Sequence, residues 1–140
     1  MNSMQILYPM FGMILLSGII SLTLLATRLP IVIKGFGKLQ AGKHSDELRP
    51  QLPDRMRYIT DNYNHLFEQP TLFYALIVYI YLVQHVDATQ VKIAWLYLIL
   101  RIAHSLIQIT SNNVSARALV FIASSLCLMV MITREIVFLL

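Results

Sequence analysis

The sequence predicts an all-α integral membrane protein, a bundle of four transmembrane helices running up, down, up and down. Three observations carry this. Hydrophobic residues are 57% of the 140-residue chain and charged residues only 13%, about half the ~25% charge of a soluble domain. The apolar residues gather into runs long enough to cross a hydrocarbon core of ~30 Å at ~1.5 Å per residue. The later connections are short, and short connections force antiparallel neighbours.

The first run, residues 6–27 (ILYPMFGMILLSGIISLTLLAT), is long enough to span by itself. No Lys or Arg precedes Arg28, so the basic start of a cleaved signal is missing and the run reads as a retained helix. Ser17 and Ser21, with Gly18 beside them, form a small-residue pattern that suits close helix contact. Pro30 marks a kink or stop near its end. The second span covers about residues 66–83, the third 91–109 and the fourth 117–140. The connection around 85–90 and the stretch TSNNVS join them. With no repeat or low-complexity segment, residues 1–140 read as one membrane domain. Cys127 lies alone in the last run, without a cation within a turn. It reads as a small buried or lipid-facing residue.

Orientation follows from the basic residues. Arg28, Lys34, Lys38, Lys43, Arg49, Arg55 and Arg57 lie in or beside the first connection, about residues 28–60, and Arg117 borders the third. The other side has only Lys92 and Arg134. The positive-inside rule makes the first and third connections cytoplasmic and puts both termini outside. Tyr79, Tyr81, Trp95 and Tyr97 then belong to the outer aromatic belt, Tyr58 and Tyr63 to the inner one. The basic rim reads as a topology signal or as an attractor of anionic lipid head groups or a small anion. Nothing points to nucleic acid, because the basic residues do not lie on a folded aqueous domain.

Ionisable residues within spans are costly and usually face the bundle interior or a cleft. On the second helix Asp61, Asn64, His65 and Glu68 share a face by their spacing, as do Tyr97, Arg101, His104 and Gln108 on the third. The two faces are expected to meet, with Glu68 and Arg101 in a buried ion pair, direct or shared through His104 or water. Breaking one side of such a pair costs ~3–5 kcal/mol. The network of Glu68, Arg101 and His104 either fixes helix register or lines a site. No metal motif is present, and no Ser-His-Asp set or glycine-rich phosphate loop. What remains is a cation-rich intramembrane cleft opening to the cytoplasm. It suits a small anionic ligand that meets a lipid-soluble one.

The stretches NHLFEQPTLFY, at the start of the second span, and RIAHSLIQITSNNVSAR, from the third span into the fourth, carry a resemblance. Together with four spans in 140 residues, they resemble the MAPEG superfamily, membrane-associated proteins in eicosanoid and glutathione metabolism, in its bacterial-type branch. The resemblance covers nearly the whole chain. It implies a homotrimer in the bacterial inner membrane, with glutathione in clefts between protomers near the cytoplasmic side. It implies Glu68 as the holder of the glutathione amino group, His104 on the cleft wall and Arg28 near a carboxylate. Asn64, His65 and Gln108 occupy further binding positions. Arg101 belongs to the polar network, and Arg117 faces the thiol as the catalytic residue.

The chain departs from glutathione-using relatives at several positions. They carry Tyr where this chain has Gln108, and often Ser or Tyr near the catalytic Arg, where this chain has Ala118 and Phe121. His65 replaces an Asn, with Asn64 adjacent, and Asp61 stands where an Arg meets a carboxylate. Two readings follow. One is a glutathione-dependent transferase or peroxidase acting on a hydrophobic electrophile or lipid hydroperoxide. The other is a non-catalytic bundle that binds a lipid or other anion, or serves as an accessory subunit. A small multidrug-type transporter is the weaker third, because the first helix has no carboxylate.

Overall fold

The computed structural model describes residues 3–36, 50 and 52–140, with the side chains of 31, 32 and 34–36 outside the description. Lys38, Lys43, Arg49 and the side chain of Lys34 therefore lie outside the described residues. The described chain is helical throughout: a 3-10 turn Ser3–Ile6, then α1 (Leu7–Phe36), α2 (Asp54–Leu82), α3 (Ala88–Ile109) and α4 (Val114–Leu139).

Helix α1 passes through Pro30 and runs on to Phe36, so Pro30 does not stop it. A proline removes one backbone hydrogen bond, and the apolar helix continues on both sides of it. Pro9 sits in the first turn, where an amide hydrogen would have no intrahelical acceptor. Helix α2 begins at Asp54, well before its apolar half, so its polar first turns are helical and not part of the connection. Arg28 accordingly lies in α1, and Arg55 and Arg57 lie in α2. Among the described residues, helices α1, α3 and α4 are long and apolar enough to cross a membrane, and α2, expected as the second span, falls short of the same hydropathy because Glu68, Gln69 and Pro70 interrupt its apolar half.

Local chemistry sets the turns. At the end of α2, His85 N–H reaches the Ile80 carbonyl (3.1 Å) and Gln84 N–H the Tyr81 carbonyl (3.3 Å), with Gln84 left-handed at φ 60°. This is a Schellman closure. Asp87 caps α3 by accepting from Gln90 N–H at 2.7 Å, which starts the helix before its apolar stripe. Asn113 caps α4 likewise, accepting from Ala116 N–H at 3.0 Å. Arg117 is thus inside the first turn of α4.

The core runs between α1, α2, α3 and α4 through Ile6, Met13, Ile20, Leu66, Phe73, Ile77, Ile80, Ala94, Tyr97, Leu98, Cys127, Leu128 and Met131. Helices α3 and α4 pack most extensively, then α1 and α2, while α2 and α4 barely touch. Phe73 and Tyr97 stack with centroids 4.3 Å apart. Tyr97 is fully buried, so it belongs to the core and not to the outer belt, whereas Tyr79 and Trp95 are exposed. The close helix approach is at Gly12, where a Cβ would come within 2.5 Å of Leu98 Cδ2. Gly18 has nothing within 4 Å. Ser21 instead donates to the Ser17 carbonyl at 2.7 Å, and the Ser17 and Tyr74 hydroxyls lie 3.4 Å apart.

Candidate functional site

From Tyr97 onward the polar residues of α3 point inward, whereas Thr89 and Lys92 at its start are exposed. Tyr97, Arg101, His104, Ser105 and Gln108 are between 0% and 2% exposed. The polar face that the sequence suggested on α2 points elsewhere: Asn64 and Glu68 are exposed, and Asp61 and His65 are half-buried. The buried stripe of α2 is Asn62, Leu66, Phe73, Ile77 and Ile80, with the half-buried Gln69 in phase with it. Each residue turns a helix by about 100°, so Glu68 lies a quarter-turn away from the position that meets α3. The side chain that reaches Arg101 is the neutral Gln69.

Arg101 and Glu68 therefore form no direct ion pair, which corrects the first form of the sequence expectation. Arg101 Nη2 donates to the His65 carbonyl at 2.9 Å, and Nη1 reaches Gln69 Oε1 at 3.5 Å. Its guanidinium lies 5.8 Å from the Phe121 ring centroid, and its Nε has no partner. Gln69 extends the network to α4: its Nε2 donates to Ser125 Oγ at 2.6 Å, and the Ser124 hydroxyl is 3.3 Å from its Oε1. Glu68 is 65% exposed at the side chain and pairs with His65 Nδ1 at 3.2 Å. The link between Glu68 and Arg101 thus passes through His65, by its ring on one side and its carbonyl on the other.

His104 is buried, edge-on to His65 at 6.0 Å and 6.0 Å from Phe121, with Nδ1 unpartnered. Phe73 faces Tyr97, Gln69 faces Arg101 and His65 faces His104. The same antiparallel register puts Asn62 level with Gln108. Both are fully buried, and the side-chain amide atoms of both lack partners among the described residues. Buried amides of this kind are ordinarily satisfied by protein or by ordered water.

Arg117 is half-buried and donates from Nη1 to Asn112 Oδ1 at 2.7 Å. Phe121, one turn on, connects it spatially to Arg101 and His104. Arg28 is half-buried on α1. Among the described residues no cluster of three His, Cys, Asp or Glu has metal-binding geometry. Asp54 hydrogen-bonds Arg57 and raises its pKa above the ordinary value. Neither the cavity of about 370 Å³ along α4 nor the one of about 220 Å³ between α1, α2 and α3 is lined by Glu68, His104 or Arg117.

A family model described as the MAPEG family matches residues 6–137. The chain belongs to the MAPEG family. No curated protein and no solved structure matches it. Family membership and the apolar helices make this MAPEG protein an integral membrane protein, related at family level to glutathione and eicosanoid metabolism.

The sequence reading missed Asn62, buried without a partner beside this MAPEG bundle's polar network, and three of the network's members, Gln69, Ser124 and Ser125. The buried period running through Asn62, Leu66, Gln69 and Phe73 was the available signal for the first two. It also missed a second polar cluster at the other end of the bundle. There Glu135, 4% exposed, lies 2.8 Å from His85 Nδ1 and accepts from Gln90 Nε2 at 2.8 Å, while Arg134 pairs with Asp87.

Proposed function

We propose that this protein is a glutathione-dependent transferase or peroxidase that acts on hydrophobic electrophiles or lipid hydroperoxides, at clefts between the copies of a homotrimer. One observation carries the reading most directly: Glu68 is on the outside of the single bundle, at 65% side-chain exposure, in a membrane-protein helix. A carboxylate on a lipid-facing surface is expensive. A neighbouring copy that covers it, with an amine as its counter-charge, removes that cost. The donor set also suits a tripeptide with one amine and two carboxylates: Glu68 for the amine, Arg28 for a carboxylate, Arg117 for the thiol. Asn64 and His65 flank Glu68 on the same face. In the same proposal the basic end of the bundle is cytoplasmic, both termini are outside, and the membrane is a bacterial inner membrane.

Glutathione, when bound, supplies the thiol that attacks the electrophile. Arg117 provides a cation for the thiolate. A free thiol of pKa ~8.5 is a few per cent ionised at neutral pH, and a nearby Arg lowers such a value by about 1–3 units. A drop of about 2 units raises the thiolate fraction roughly twenty-fold and costs about eight-fold in nucleophilicity, for a net gain of around three-fold. The larger contribution is therefore positional, from residues that hold the thiol at the membrane edge beside its partner.

The burial of His104 and Gln108 inside the protomer, with Ala118 and Phe121 beside Arg117, favours a second reading. In it the bundle is non-catalytic and binds a lipid or other anion, or acts as an accessory subunit. Glutathione titrated into purified protein in nanodiscs, followed by thiolate absorbance, separates the two. A saturable signal lost in Arg117→Ala and weakened in Glu68→Gln supports the enzyme. No binding at millimolar glutathione in a folded assembly rejects it.

A further inference from the structure

The slot between α1, α2 and α3 belongs to neither polar cluster. It is half-open, with a volume of about 220 Å³, and is lined by Ile19, Ile20, Thr23, Arg55, Ile59 and Ile109. Arg55 is in the first turn of α2 and Ile109 is the last residue of α3, so the slot opens where the apolar spans end. Its walls are aliphatic. Thr23 already donates its hydroxyl hydrogen to the Ile19 carbonyl at 2.8 Å. Water gains little along these walls, which offer it few hydrogen-bond partners. The volume is also below the ~300–1,000 Å³ of a site that engulfs a whole small molecule. A stretch of a single hydrocarbon chain fits, with the rest of the molecule outside.

Among the described residues that line the slot, the one charge is Arg55. It is exposed and forms no hydrogen bond or ion pair with any described residue. Arg57, two residues on, differs in that Asp54 holds it. An unmatched cation at the mouth of an aliphatic slot, at the level where spans meet head groups, is complementary to an amphiphile with an anionic head. The geometry points to a binding site for an anionic phospholipid, its phosphate on Arg55 and part of one acyl chain between Ile19, Ile59 and Ile109. This goes beyond the glutathione reading and does not depend on it.

Native mass spectrometry of the full chain, released from nanodiscs of phosphatidylglycerol and phosphatidylethanolamine with matched chains, tests the site. Wild type retains phosphatidylglycerol in preference. Arg55→Gln weakens that retention about five-fold, the share of one basic residue near a membrane surface. Ile59→Trp, which fills the slot, abolishes it, and Arg57→Gln leaves it unchanged. Arg55→Gln is a surface change, so it carries the test even where Ile59→Trp fails to fold. Retention that survives Arg55→Gln, or falls equally in Arg57→Gln, overturns the proposal. Displacement of the lipid by inorganic phosphate also overturns it, since an anion alone would then suffice.

Discussion

Arg101 is fully buried and donates to the backbone carbonyl of His65 at 2.9 Å, not to a carboxylate. A guanidinium held by a carbonyl and the neutral Gln69 side chain makes three helices converge without a buried anion. Replacing the amide of Gln69 by an apolar group removes acceptors from a charge that cannot leave. Gln69→Leu should destabilise by about 1–3 kcal/mol. Glu68→Gln, on the exposed face, should stay within ~0.5 kcal/mol. Thermal unfolding in detergent, compared across the two variants, checks the phase of α2. The reverse order of effects would restore a Glu68–Arg101 pair.

The contact of α1 with α3 depends on Gly12. Gly12→Ala puts a methyl 2.5 Å from the end of Leu98. Overpacking of this kind costs ~1–3 kcal/mol, lessened to the extent that Leu98 rotates away. Gly18→Ala meets open space within the bundle and should gain up to ~1 kcal/mol of helix propensity. Melting temperatures of the two variants should move in opposite directions. A Gly18→Ala variant that loses oligomer would place Gly18 against another copy.

Asn62 and Gln108 present unpartnered amides at one level of the core. Buried amides facing each other across two helices are ordinarily satisfied by one another or through ordered water, which couples the two positions. Asn62→Leu and Gln108→Leu should each cost ~1–3 kcal/mol by stranding the other's partners. The double variant should cost less than their sum by at least ~0.5 kcal/mol. Additive losses in a double-mutant cycle would show that the two amides are independent.

At the opposite end, Glu135 ties the α2–α3 turn to α4 through His85 and Gln90. Glu135→Leu leaves two donors without their acceptor and should cost about 2–4 kcal/mol. The expected sign of local release is faster proteolysis at the turn around Gln84, with the basic end unaffected. Cleavage at the wild-type rate would mean that the Schellman closure alone holds the turn.

The apolar helices were legible in the chain, but their caps were not read: the runs place the spans from residues 91 and 117, whereas α3 and α4 begin at Ala88 and Val114. Asp87 and Asn113 act through neighbours in sequence, accepting from Gln90 N–H and Ala116 N–H, so a polar residue ahead of each apolar run was the signal for those starts. The candidate site was legible in content but not in phase. Asp61, Asn64, His65 and Glu68 share a face by spacing, yet spacing does not say which face meets α3. Gln69 was not legible because it is only one residue, about 100° of helix rotation, from Glu68, and spacing alone does not say which of the two faces α3. Glu135 was not legible because its partners, His85 and Gln90, are distant in sequence and meet it only through the packing of α4 against the α2–α3 turn.

The sequence by itself determined that this is an all-helical membrane chain of the MAPEG family, because composition, run length and motif spacing are properties of the chain alone. Only the tertiary structure decided that Arg101 is anchored by a carbonyl and Gln69, and that Glu68 faces outward. The reason is geometric: a quarter-turn of α2 exchanges the two side chains, and the rotation of that helix is set by the packing of Leu66, Phe73 and Ile77 against the rest of the core.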